Sequence, residues 1–175
     1  MNEILSKFPE HCREALEIAE QTKLPDIKPE AVYIAGMGGS GIAGRLLQSY
    51  LSDESKIPII TVNDYKLPNA VNEKSLVFTV SASGNTEETL AVYDDAKNKG
   101  AMIIGLTTGG KLEEKCKSDG TSCLKFPSGL PPRATLGCQF FLLLHSLELM
   151  KIIDKKEDDI EEAILMAETM QDKGE

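Results

Sequence analysis

A chain of 175 residues, 41% of them apolar, is long enough to bury one sizeable core, and domain-size statistics predict one domain rather than two. Lysine and arginine number 19 against 28 acidic residues, a net charge of −9, so there is no basic stripe to follow a nucleic-acid backbone, which argues against nucleic acid as a partner. A local anion site remains compatible with that charge, because backbone donors and a helix terminus outweigh a distant, screened field.

In chain order, Cys12, Ala15, Leu16 and Ala19 predict an opening helix. Strand-like runs follow at residues 31–35, 57–62, 76–80, 102–106 and 122–126, short and mostly unbroken apolar, as parallel strands covered on both faces should be. After the first strand, Ile42, Ala43, Leu46, Leu47, Tyr50 and Leu51 have the three-and-four spacing of one helix face, and another helix starts at about Thr86. Two more helices come last, one over about 134–150 and one carrying Ile160, Ala163, Ile164, Ala167 and Met170. Alternating strand and helix predicts an α/β fold, a three-layer α-β-α sandwich around a five-stranded parallel sheet. The organisation expected is a single domain over 1–175, with a helical segment to about 30, an α/β core over 31–150 and a C-terminal helix or linker from 151.

Cys12, Cys116, Cys123 and Cys138 show no Cys-x-x-Cys spacing, and His11 and His145 are the only histidines, which predicts buried or inert thiols and no metal. Residues 1–9 lack the apolar core of a signal segment, and the longest uninterrupted apolar run, 140–144, is far too short to span a bilayer. The expectation is a cytoplasmic protein without a membrane partner.

Two strand ends carry special loops: Gly36-Met37-Gly38-Gly39-Ser40-Gly41 after the first, and Ser81-Ala82-Ser83-Gly84-Asn85-Thr86 after the third. Ligands of open parallel sheets bind beyond the carboxyl ends of strands, where neighbouring connections leave toward opposite faces. With the common 2-1-3-4-5 strand order, both loops line that one crevice. In the second loop the hydroxyls of Ser81, Ser83 and Thr86 can donate to phosphate oxygens, Gly84 lets the backbone turn, and the next helix adds free amides and its positive dipole end. The same residues also suit a plain turn and helix cap, with Glu87 and Glu88 favoured in the first turn. The first loop fits Gly-x-Gly-x-x-Gly, and Asp64 follows the second strand, so a dinucleotide site is the competing reading. Against it, Asp64 lies later than the usual ribose-binding acid, and that fold does not call for a second hydroxyl-rich loop.

Several segments together resemble the N-terminal half of the bifunctional phosphoglucose/phosphomannose isomerases of the sugar isomerase (SIS) superfamily. They are residues 35–41, 62–68, 80–90, Gly109-Gly110-Lys111-Leu112, and Gly129-Leu130-Pro131-Pro132-Arg133-Ala134-Thr135-Leu136-Gly137, in family order. The resemblance implies a SIS domain with flavodoxin-like strand order. It implies that Ser81, Ser83 and Thr86 hold a sugar phosphate and that Gly38, Gly39 and Ser40 contact the substrate. Arg133 would face the sugar carbons and stabilise an enediolate, a role that a cation beside a rigid Pro-Pro turn can fill. The substrates implied are glucose 6-phosphate, mannose 6-phosphate and fructose 6-phosphate, with no cofactor, in a homodimer. Residues equivalent to Asp64-Tyr65 also occur in that family, which gives this acid a structural explanation, whereas Arg45 departs from the small or acidic residue expected after the glycine loop.

Aldose–ketose interconversion needs a base to move a proton between neighbouring carbons and an acid–base group to open the ring. His11 and His145 sit in apolar helix patterns, Glu87 and Glu88 in a first turn, and Glu148 one turn from His145, so none presents itself as that base. The resemblance places a glutamate, a lysine and a partner-subunit histidine in a second SIS-like half. The expectation is therefore a phosphosugar-binding half, incomplete as a catalyst by itself. The alternatives are a stand-alone hexulose-phosphate isomerase, a phosphosugar-sensing module and a dinucleotide-binding domain.

Overall fold

The computed structural model describes residues 7–130 and 135–172. Its elements run α1 (Phe8–Gln21), β1 (Ala31–Gly36), α2 (Gly38–Tyr50), β2 (Ile59–Val62), β3 (Ser75–Ser81), α3 (Glu87–Asn98), β4 (Met102–Thr107), α4 (Gly110–Asp119), β5 (Ser122–Lys125), α5 (Thr135–Leu149) and α6 (Glu157–Asp172). All five strands are parallel, in the order β2-β1-β3-β4-β5, the order expected from the sequence.

Successive side chains of a strand point to opposite faces, and both faces of this sheet are covered. Val32, Ile34, Leu76, Phe78, Val80, Ile104, Leu106 and Leu124 pack with residues of α1, α2, α5 and α6. Tyr33, Ala35, Val62, Val77 and Ile103 pack with α3 and α4 on the other side. α2 thus leaves β1 toward one face while α3 leaves the neighbouring β3 toward the other, which makes the carboxyl ends of β1 and β3 the switch point of the sheet.

Two elements differ most from their sequence-based expectation, β2 in its start and α2 in both its start and its buried face. β2 starts at Ile59 rather than at 57, because Pro58 has no N–H for the ladder and contributes only its carbonyl, to Val32 N at 2.9 Å. α2 begins inside the glycine loop, four residues before its first periodic apolar position. Its apolar stripe is also split: Ala43, Leu47 and Leu51 are buried, while Ile42, Leu46 and Tyr50 are exposed.

Gly44 explains the split. A Cβ on Gly44 would lie 2.8 Å from Ile34 Cγ2, so the helix approaches β1 through a bare backbone and turns the flank with Ile42 and Leu46 outward. Gly44→Ala is expected to destabilise the chain by about 2 kcal/mol through overpacking. In an Ile34→Ala background the same change should cost clearly less, read from urea unfolding midpoints. Equal costs in both backgrounds would refute the contact as the cause.

Of the expected inert thiols, burial pushes Cys12 up to about 12 and Cys138 up to about 11. Cys116 differs in direction: a hydrogen bond from Cys123 draws its thiol below the usual value. No helix among the described residues is long and apolar enough to cross a membrane.

Candidate functional site

β3 delivers Ser81 as its last residue, and the chain then turns through Gly84, at φ +67°, into α3. Ser81 is buried; its Oγ accepts from Gly84 N at 3.1 Å and lies 2.8 Å from Thr86 Oγ1. Ser83 Oγ accepts from Asn85 N at 3.2 Å, and Asn85 Nδ2 donates to Ser83 O at 3.0 Å. Thr86 occupies the N-cap position of α3 but makes no side-chain cap hydrogen bond, because its hydroxyl faces Ser81. The capping role that the sequence equally allowed is therefore not performed by Thr86. The first amides of α3 keep their donors without an intrahelical partner, at the positive end of the helix dipole.

The connection from β4 to α4 holds this loop from the other side. Thr108 donates from both N and Oγ1 to Ala82 O, at 3.1 and 2.8 Å, and Leu112 N donates to Gly84 O at 2.9 Å. Lys111 N donates to Asn85 Oδ1 at 3.2 Å. The loop carbonyls of Ala82 and Gly84 are thus engaged by α4 and its lead-in turn, so their negative ends do not face an incoming anion. This third strand-end loop was not singled out for the site from the sequence, although Thr107-Thr108-Gly109-Gly110 has the same strand–turn–helix punctuation as the other two.

The first loop joins the same crevice. α2 begins at Gly38, φ +54°, after an extended Met37 that also provides no side-chain cap. Ser40 N donates to Met37 O at 3.1 Å, and the buried Ser40 Oγ accepts from Gln139 Nε2 of α5 at 3.3 Å. Between the N-termini of α2 and α3 opens a cleft of about 400 Å³, lined by Met37, Gly39, Ser40, Ala82, Ser83, Thr86, Thr108, Gly129, Leu130 and Thr135. Of the residues expected at the site, Gly39, Ser40, Ser83 and Thr86 line the cleft directly. Gly38 opens the helix at its rim, and Ser81 lies under the loop as its internal brace. Arg133 lies outside the described residues, and Leu130 and Thr135 on either side of that segment line the cleft.

The remaining sequence candidates lie elsewhere. Asp64 accepts from its own neighbour, Tyr65 N, at 2.6 Å, and it is Asn63 that donates to Gly36 O in the glycine loop. That local bond gives Asp64 a structural use of its own, independent of any ribose. Arg45 is exposed and donates to Asn63 Oδ1 at 3.1 Å, which ties the middle of α2 to the residue that follows β2. His145 is a buried strut: Nδ1 lies 2.8 Å from Glu148 Oε2 and Nε2 3.4 Å from Glu20 Oε1, while Glu148 Oε1 accepts from Lys156 N at 3.2 Å. His11 belongs to the α1–α5 packing, where Cys138 Sγ donates to its carbonyl. Glu88 stands beside Tyr65, whose phenol it holds above the usual range.

Residues 27–117 match the family model of the SIS domain. The chain belongs to the SIS domain family. A bifunctional phosphoglucose/phosphomannose isomerase from Caldicellulosiruptor bescii is 46% identical to this SIS chain over 167 residues, 94% of this chain and 49% of that protein. Its namesake from Thermoplasma acidophilum is 39% identical over 132 residues, 75% of this chain and 39% of that protein. A D-glucosamine-6-phosphate 4-epimerase from Sulfolobus acidocaldarius is 38% identical over 135 residues, 74% of this chain and 41% of that protein. The SIS chain thus spans about half or less of the length of these relatives.

Among solved structures, the C-terminal domain of glucosamine-fructose-6-phosphate aminotransferase from Francisella tularensis superposes with a TM-score of 0.66 at 16% identity, over 96% of this chain and 53% of that one. The Vibrio vulnificus NanR protein complexed with ManNAc-6P gives 0.54 at 19% identity, over 92% of this chain and 62% of that one. At such identities these likenesses show the SIS fold alone.

Proposed function

We propose that this chain is the phosphosugar-binding half of an isomerase that interconverts glucose 6-phosphate and mannose 6-phosphate with fructose 6-phosphate through an enediol. The observation that carries the reading is the convergence of two uncapped helix N-termini, α2 and α3, with the hydroxyls of Ser40, Ser83 and Thr86 on one cleft. Such a site offers neutral donors to an anion and needs no lysine. Ser83 and Thr86 hold the phosphate, Ser81 braces them, and Gly38, Gly39 and Ser40 face the sugar. Arg133 supplies a fixed positive charge for the enediolate oxygen, where electrostatic stabilisation lowers the barrier most.

None of the described residues lining the cleft is a carboxylate, a histidine or a lysine, so the proton-moving groups come from elsewhere in the assembly. Relatives of about twice this length leave room for them in a second half, and we assign the working enzyme to a cytoplasmic homodimer. The test is calorimetric titration of this chain with fructose 6-phosphate and with NAD, followed by isomerase assays on glucose and mannose 6-phosphates. Saturable binding of the sugar phosphate with little or no turnover is the expected result. Heat with NAD and none with fructose 6-phosphate would overturn the reading.

A second reading draws on the Sulfolobus acidocaldarius relative, whose name specifies an amino-sugar phosphate and an epimerisation. It keeps the same phosphate anchor and differs at the sugar. Tighter binding of glucosamine 6-phosphate than of fructose 6-phosphate would favour it.

A further inference from the structure

The Ser40 hydroxyl has a partner that the sequence did not point to. Gln139, in the second turn of α5, reaches Ser40 Oγ with its Nε2 across 99 residues of chain, and it is only 1% exposed. It stands among buried Cys138, Phe141, Leu142 and Leu143. An amide in such a place costs free energy unless its hydrogen bonds are made, yet its Oε1 has no partner among the described residues. Apolar packing would favour a leucine here, so the bond to Ser40 is what the amide contributes.

A serine hydroxyl carries one hydrogen. When its oxygen accepts from Gln139, that hydrogen is left for another acceptor. In a helix the usual acceptors are the carbonyls three and four residues back; here Met37 O already accepts from Ser40 N and Gly41 N, Gly36 O accepts from Asn63 Nδ2, and the Ser40 hydroxyl bonds to neither. Ser40 lines the cleft with Ser83 and Thr86. We infer that Gln139 is a positioning residue: by donating to Ser40 Oγ it commits the Ser40 hydroxyl hydrogen to a ligand oxygen in the cleft. This rests on the phosphosugar reading above for the identity of the ligand, and on the geometry alone for the bond.

Two variants separate the role from simple packing. In Gln139→Glu the introduced carboxylate can only accept, so it draws the Ser40 hydrogen away from the ligand and sets a negative charge behind it. Burial raises the pKa of the introduced carboxyl, so binding of fructose 6-phosphate is followed from about pH 6 to about pH 9; it is expected to weaken about thirtyfold relative to wild type once the carboxyl ionises, the scale of one charge-assisted hydrogen bond, and to recover as acid restores a donor. Gln139→Met is expected to weaken binding only about threefold, without that pH dependence relative to wild type. Wild-type affinity in Gln139→Glu across that whole pH range, or the same pH-independent loss in both variants, would overturn the inference. Independently of any ligand and of whether those variants fold, the side-chain amide resonances of Gln139 are followed by NMR in wild type and Ser40→Ala. A shift with faster hydrogen exchange is expected, and unchanged resonances would overturn the inference. If wild type fails to take up fructose 6-phosphate while those resonances do respond, it is the phosphosugar reading that falls and the bond that stands.

Discussion

Gly84→Ala is expected to destabilise the chain by about 4 kcal/mol, close to the whole margin of a marginal domain. Two costs combine. Gly84 has φ +67°, and an alanine there costs about 1 kcal/mol in left-handed strain. The added Cβ would also fall 1.7 Å from Gly109 O, inside the seam that joins the β3–α3 loop to the β4–α4 turn. Backbone cannot rotate aside as a side chain does, so the seam must open, which loosens the bonds of Thr108, Lys111 and Leu112 to the loop and adds about 3 kcal/mol. Gly110 belongs to the same seam, since a Cβ on it would lie 2.5 Å from Ser83 O. Gly120 provides the control: its φ is +68° but a Cβ would meet nothing within 4 Å, so Gly120→Ala should lose only about 1 kcal/mol. Urea midpoints compare the two variants directly, and equal losses would show that strain alone, not the seam, makes Gly84 necessary.

The double variant Ser83→Ala, Thr86→Ala is expected to weaken fructose 6-phosphate binding by about 3 kcal/mol, more than a hundredfold, from two charge-assisted hydrogen bonds to one phosphate. Neither hydroxyl is indispensable to the fold. Ser83 Oγ accepts from an exposed turn amide, and Thr86 makes no cap bond to its helix. Losing Thr86 Oγ1 does remove a partner of the buried Ser81 Oγ, which still accepts from Gly84 N. Thr86→Ser keeps that hydroxyl without the methyl group and should restore most of the affinity lost in Thr86→Ala. Calorimetry on samples with native circular dichroism reads the effect. Unchanged affinity in the folded double variant would reduce the loop to a turn that happens to precede a helix.

The sequence by itself determined the kinds of elements, their order and the two loops that lead into α2 and α3. Those features are local: unbroken apolar runs of strand length and glycine- and hydroxyl-rich stretches follow from the neighbours of each residue along the chain. The crevice followed only once the common 2-1-3-4-5 strand order was assumed, and the tertiary structure is what makes β1 and β3 neighbours.

Only the tertiary structure decided how individual side chains are used. Helical spacing put Ile42 and Leu46 on one face with Ala43 and Leu47, but the bare backbone of Gly44 against Ile34 chose which flank is buried. Composition allowed Thr86 to cap α3, but Ser81, held beneath it at the end of a buried strand, took its hydroxyl instead. Gln139 reads as one polar residue in an apolar helix until α5 lies against Ser40. Each outcome depends on contact between layers distant in sequence, and the pattern along one segment specifies its own period without specifying what the opposing segment brings to meet it.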